Sequence, residues 1–190
     1  MTPDYIYKLI MIGDSNIGKS SIIQKYMKNE FDPNIPCTHG VDFRIMIREF
    51  NNYIIKIHNW DTTGDTRFYS IKQAYYRNND GIFLIYDVTN RESFNSLKLH
   101  LEYINYNKNK DCPIFLIGNK SDLFKDKEIS TEEGKSFANE YNLPFFETSA
   151  KNGFNIHNIY SQMIELIYNE KQHKKALIPI KNNKYFCNLL

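Results

Sequence analysis

Short apolar runs alternate with segments of helical periodicity along this chain. The runs Tyr5 to Ile12, Val41 to Phe50, Tyr53 to Trp60, Gly81 to Asp87, Pro113 to Asn119 and Pro144 to Glu147 predict six strands. Between and after them, Lys19 to Met27, Ile71 to Tyr76, Ser93 to Tyr106, Thr131 to Tyr141 and Ile156 to Glu170 predict helices. Such alternation is the mark of an α/β fold: a six-stranded, mostly parallel sheet with helices on both faces. Asn51 and Asn52 part the second and third runs, and asparagine tolerates left-handed backbone angles. Those two strands are therefore expected to form an antiparallel hairpin. Two helices carry capping-box starts, Thr89 with Glu92 and Ser130 with Glu133.

Composition narrows this picture. The chain has 190 residues, 42% hydrophobic and 24% charged, enough for one sizeable core. One domain is expected over residues 1–170. From Lys171 onward the apolar period gives way to Lys, Asn and His, which reads as a flexible tail over 171–190. A net charge of +2, with no basic stripe interleaved with aromatics, argues against a nucleic-acid partner. Cys37, Cys112 and Cys187 are odd in number and far apart, which fits reduced thiols in the cytosol. No apolar run is long enough to cross a bilayer.

The chemistry sits at the ends of predicted strands, where an open α/β sheet binds ligands. After the first strand comes Gly13-Asp14-Ser15-Asn16-Ile17-Gly18-Lys19-Ser20, a G-x-x-x-x-G-K-S loop opening a helix. Its glycines let the backbone wrap an anion, its amide N–H groups point inward, and the helix start adds a favourable dipole end. Lys19 supplies charge to the β and γ phosphates of a nucleoside triphosphate, and Ser20 an oxygen to Mg2+. After the third strand, Asp61 can hold Mg2+ through water, and Gly64 lets a backbone N–H approach the γ phosphate. After the fifth, Asn119-Lys120-Ser121-Asp122 offers a carboxylate that matches guanine N1 and N2, where adenine has no such donor pair. Lys120 can lie over the base, and the backbone at Ala150 can donate to the guanine carbonyl. A kinase or ATPase is disfavoured by that motif.

Taken with His39-Gly40-Val41-Asp42-Phe43, Trp60, Arg67-Phe68-Tyr69-Ser70-Ile71, Tyr75-Tyr76-Arg77 and Leu84-Ile85-Tyr86-Asp87-Val88-Thr89, these motifs resemble the small GTPases, and within them the Rab family. The likeness runs from Tyr5 to Glu170. It implies the P-loop NTPase fold in its small G-protein form, GTP hydrolysis, and a role as a GTP/GDP-switched regulator of vesicle traffic. It implies that Thr38 binds Mg2+ and the γ phosphate, that Phe31 packs on guanine, and that Phe31 to Phe43 and Asp61 to Tyr76 are the switch regions. The expected nucleotide contacts are Asp14, Ser15, Asn16, Ile17, Gly18, Lys19, Ser20, Ser21, Phe31, Thr38, Gly64, Asn119, Lys120, Asp122, Leu123, Ser149, Ala150 and Lys151. Ser20, Thr38 and Asp61 are the expected metal ligands. Val41, Phe43, Trp60, Phe68 and Tyr76 resemble the apolar patch that meets effectors. An exchange factor, an activating protein and a prenyl-carrying escort are implied, with the protein a monomer on the cytoplasmic face of intracellular membranes, cycling with the cytosol.

The chain departs from the family at several positions. The family's W-D-T-A-G-Q-E reads Trp60-Asp61-Thr62-Thr63-Gly64-Asp65-Thr66 here, so Asp65 stands where a glutamine orients the attacking water. Lys19, Thr38, Gly64 and Asp65 make up the expected catalytic set. An ionised Asp65 about 5 Å from the γ phosphate at an effective dielectric near 20 costs about 3 kcal/mol per unit charge, and each 1.4 kcal/mol is about a decade of rate. Slow intrinsic hydrolysis follows, with a GTP-held effector scaffold as the alternative. Asn59 falls at an apolar strand position and needs partners if buried. The terminal Cys187-Asn188-Leu189-Leu190 resembles a prenylation signal, with Lys171, Lys174, Lys175, Lys181 and Lys184 upstream to attract anionic lipid.

Overall fold

The computed structural model describes residues 2–64, 76–109 and 111–177. Its strands are β1 (Tyr5–Ile12), β2 (Val41–Phe50), β3 (Tyr53–Thr62), β4 (Gly81–Asp87), β5 (Ile114–Asn119) and β6 (Phe145–Glu147). Its helices are α1 (Lys19–Lys28), α2 (Arg91–Asn95), α3 (Leu97–Asn107), α4 (Thr131–Glu140) and α5 (Ile156–Leu177). The strands form one sheet in the order β2-β3-β1-β4-β5-β6. Only β2 is antiparallel to its neighbour, turning into β3 through Asn51 (φ 50°) and Asn52 (φ 64°).

Strand alternation sends each side chain to one of two cores. Leu9, Met11, Phe83, Ile85, Phe115 and Ile117 face α1 and α5. Ile10, Ile12, Ile82, Leu84, Ile114 and Leu116 face α2, α3 and α4. Central β4 is buried at all seven positions because both its faces are covered, which is why it reads as a continuous apolar run. Asn59 points into the first core and is fully buried. Its Oδ1 accepts from Tyr160 Oη at 3.0 Å, while its Nδ2 has no hydrogen-bond partner among the described residues.

Three expectations are corrected. The helix expected from Ser93 to Tyr106 is two helices, α2 and α3, divided at Ser96, whose hydroxyl reaches out of the helix line toward Asp14. The cap of α2 is Asn90, whose Oδ1 accepts from Ser93 N at 3.0 Å. Thr89 instead gives both its N–H and its hydroxyl to Asp87 Oδ1. Finally, α5 runs on to Leu177, seven residues into the span expected to be a flexible tail. Polar anchors hold that extension where apolar periodicity has faded. Lys171 pairs with Asp80 at 2.8 Å over the Tyr7 ring, Gln172 donates to Tyr5 Oη, and Lys174 pairs with Asp111. The Ser130 cap holds, accepting from Glu133 N. The helix expected over Ile71 to Tyr76 lies outside the described residues except for Tyr76.

Candidate functional site

β1, β3, β4, β5 and β6 end on one side of the sheet, and a cavity of about 1000 Å³ opens there. The loop after β1 forms its floor. Gly13 (φ 143°) allows no side chain, because a Cβ would lie 2.2 Å from Ile85 O. Gly18 (φ 91°) is similarly pressed, 2.5 Å from Asn119 Nδ2. Gly18 then serves as the N-cap of α1 without any side-chain hydrogen bond, so the first-turn amides face the cavity mouth with the positive end of the helix. Lys19, nearly buried, folds back over the loop and donates from Nζ to Gly13 O at 3.0 Å and Asp14 O at 2.6 Å.

At one end of the cavity three oxygens converge from three segments. Ser20 Oγ lies 3.0 Å from Thr38 Oγ1, which donates to Asp61 Oδ2 at 3.3 Å. Register places Asp61 beside Met11, at the threshold of the loop. Burial pushes the Asp61 carboxyl above its ordinary value, against hydrogen bonds from Ser20 and Thr38 and the charges of Lys19 and Arg44. Its Oδ1 is buried with no hydrogen-bond partner among the described residues. A hard, oxygen-only set with an orphaned carboxylate oxygen fits Mg2+, which favours such donors and restores the charged carboxylate.

The other end of the cavity is a lattice of side chains. Asn119 donates to Ile17 O at 2.8 Å and accepts from Thr148 Oγ1 at 3.1 Å, tying β5 to both the phosphate loop and the segment after β6. Ser149 donates to Asp122 Oδ1 at 2.6 Å and so fixes that carboxylate at the wall. Lys120 (φ 65°) spans the cleft, donating to Asn16 O at 2.8 Å and pairing with Asp87 at 2.6 Å. Phe31, Leu123, Ala150 and Lys151 complete this end, a slot with the Asp122 carboxylate at its edge.

Most of the expected contacts therefore share one cavity. Asp14, Ile17 and Ser149 stand behind its wall: Ile17 is core beneath the loop, Ser149 orients Asp122, and the Asp14 carboxylate turns away toward α3. Gly64 abuts the loop, since a Cβ there would lie 1.9 Å from Ser15 N and 2.1 Å from Asp14 C. Asp65 and Cys187 lie outside the described residues. In the expected effector patch, Phe43 is 40% exposed and its ring packs 4.7 Å from Trp60. Tyr76 is a correction: at 1% exposure it belongs to the second core, packed among Ile10, Ile12 and Leu84. Phe68 lies outside the described residues. Two features escaped sequence reasoning. Cys37 lines the cavity and donates from Sγ to Asn16 Oδ1 at 3.2 Å, and Ser96 and His100 bind Asp14. Only the expectation that Phe31 to Phe43 forms a switch region pointed toward the first.

The chain matches the family model described as "Ras family" over residues 8–169. It is 38% identical to Ras-related protein Rab-11B of Dictyostelium discoideum over 181 residues, covering 95% of this chain and 82% of that protein. It is 36% identical to Ras-related protein SEC4 of Saccharomyces cerevisiae, covering 95% and 83%. With GTP-binding protein YPTM2 of Zea mays the identity is 42% over 160 residues, covering 84% and 79%.

Proposed function

Since the chain belongs to the Ras family, and within it to the Rab small GTPases of vesicle traffic, we propose that it is a switch with weak intrinsic hydrolysis, whose GTP state persists until an activating protein ends it. The observation that carries this reading is Asp65 in the position of the water-orienting glutamine, directly after Gly64, which rests on the phosphate loop. A carboxylate there offers no amide to the attacking water and repels the γ phosphate.

In this reading Lys19 leaves the loop carbonyls for the β and γ phosphates, and Thr38 and Gly64 engage the γ phosphate from the two switch regions. Ser20, Thr38 and Asp61 would hold Mg2+, and the ion would supply neutralising charge to the phosphates. Asp122 accepts from guanine N1 and N2, and Ser149 keeps it oriented to do so. Loss of the γ phosphate releases Thr38 and Gly64 together, which changes the surface around Val41, Phe43 and Trp60. Effectors meet that surface. An exchange factor, an activating protein and a prenyl-carrying escort act on the same cycle, and Cys187 carries the lipid that places the protein on the cytoplasmic face of intracellular membranes.

A second reading, favoured by the same Asp65, is a GTP-held scaffold with negligible turnover. Single-turnover GTP hydrolysis by the wild type and Asp65→Gln, each with and without a Rab-activating protein that donates its own glutamine, separates the two. Acceleration of the wild type by the activator supports the assisted switch. A flat wild type beside a responsive Asp65→Gln supports the scaffold. Fast unassisted hydrolysis by the wild type refutes both.

A further inference from the structure

The second residue of the phosphate loop is held from outside the nucleotide cavity. His100, on α3 and 1% exposed, brings Nε2 within 2.8 Å of Asp14 Oδ1, while Ser96, at the junction of α2 and α3, donates to Asp14 Oδ2 at 2.6 Å. Both carboxylate oxygens are thus engaged by residues more than eighty positions away in the chain. Burial pushes the Asp14 carboxyl up. The hydrogen bonds from His100 and Ser96, with the charges of His100 and Lys19, outweigh that and bring it below its ordinary value. An ionised carboxylate only accepts, so His100 Nε2 carries a proton and donates.

The same residue meets the catalytic machinery through its backbone. The Asp14 carbonyl accepts from Lys19 Nζ at 2.6 Å, and its carbonyl carbon lies against Gly64, together with Ser15 N. Fixing the carboxylate from both sides fixes the peptide that follows it, and with that the resting place of Lys19 and the surface on which Gly64 lies. At the junction of α2 and α3 the Ser96 hydroxyl lies within hydrogen-bond distance of both Ser93 O, at 3.1 Å, and Asp14.

We propose that Ser96 and His100 are positioning residues for nucleotide retention, gripping the Asp14 carboxylate so that the phosphate loop keeps its anion-binding shape. The inference rests on guanine-nucleotide binding and goes beyond the switch cycle, since it concerns how long either nucleotide stays. A histidine that only filled the core could be exchanged for leucine without effect on the ligand. A gripping histidine could be exchanged only for a residue that also donates from the same place.

The test is the release rate of a preloaded fluorescent GDP analogue from the full chain with Mg2+ present, measured by chase with unlabelled GDP. His100→Leu and Asp14→Asn should each speed release about tenfold, the worth of one charge-assisted hydrogen bond. The double variant should be no faster than the faster single. His100→Gln, which keeps a donor, should return release to within about threefold of wild type. Wild-type release from His100→Leu, or multiplication of the two single effects in the double, overturns the proposal. Ser96→Ala leaves the packing of α3 in place, so it keeps the test decisive should the leucine variant fail to fold. It must accelerate release as well, and an unchanged rate refutes the grip.

Discussion

Asn59 and Tyr160 form a buried pair whose removal should strengthen the protein, although removing one member should not. Both are fully buried, Tyr160 donates to Asn59 Oδ1 at 3.0 Å, and the Asn59 amide nitrogen has no hydrogen-bond partner among the described residues. A buried polar group left unpaired costs about 1–3 kcal/mol, whereas a satisfied neutral hydrogen bond contributes about 1 kcal/mol net. Tyr160→Phe keeps the ring stacked on Tyr26 at 3.6 Å but orphans Asn59 Oδ1, so it should cost about 1–3 kcal/mol. Asn59→Leu, which keeps the same branching of heavy atoms, relieves the orphaned nitrogen while orphaning the Tyr160 hydroxyl. The two nearly cancel, to within about 1 kcal/mol. The double variant has neither orphan and should gain about 1 kcal/mol, a rise of about 2–4 °C in Tm for a chain of this size. Denaturant unfolding at fixed, saturating GDP and Mg2+ measures this, since bound ligand otherwise shifts apparent stability between variants. A double variant that loses the sum of the two single effects would refute the reasoning.

Three more outcomes follow from the geometry. Gly64→Ala places a methyl inside backbone contact with Asp14 and Ser15, so the loop and the second switch must part by about 1.5 Å to reach ordinary contact; GTP-dependent effector binding should fall at least about tenfold, and unchanged binding would contradict it. In a Cys187→Ser background, exposed Cys37 should react with a maleimide while buried Cys112, whose thiol burial pushes up to about 12, should react only on unfolding; mass mapping of the modified peptide decides. The Asp14 and Glu133 carboxyls are both held below their ordinary values, Asp14 despite its burial and by His100 and Ser96, Glu133 by its hydrogen bond from Arg91. Each contributes stability that is present above the ordinary carboxylate range and lost as pH falls through the depressed value, so His100→Leu should make the acid limb of the stability curve shallower by the His100 part of the Asp14 share, leaving that of Glu133 unchanged.

The strands were legible because each is a short run bounded by turn residues, and the structure moves their ends by at most two positions. The hairpin was legible because Asn51 and Asn52 are residues that accept positive φ. The cavity was legible because its motifs follow strand ends, and parallel strands gather those ends on one side. What sequence could not supply depends on distant partners. The Ser96 hydroxyl answers to Asp14, and the last turns of α5 answer to Tyr5, Asp80 and Asp111 at the opposite ends of strands. Tyr76 looks like a surface aromatic because its burial is decided by Ile10, Ile12 and Leu84 rather than by its neighbours in the chain. The choice between Thr89 and Asn90 as a cap is a matter of one position, settled by Asp87 drawing the threonine away.

The length of α5 fixes a direction as well as a size. Its 22 residues span about 33 Å, starting just after Ala150 at the nucleotide mouth and running back past Tyr5, Asp80 and Asp111 at the far pole of the sheet. The polar pairs at that pole and the nucleotide contacts at the mouth are therefore a full domain height apart, so the anchors of the last turns can be changed without touching a residue of the cavity.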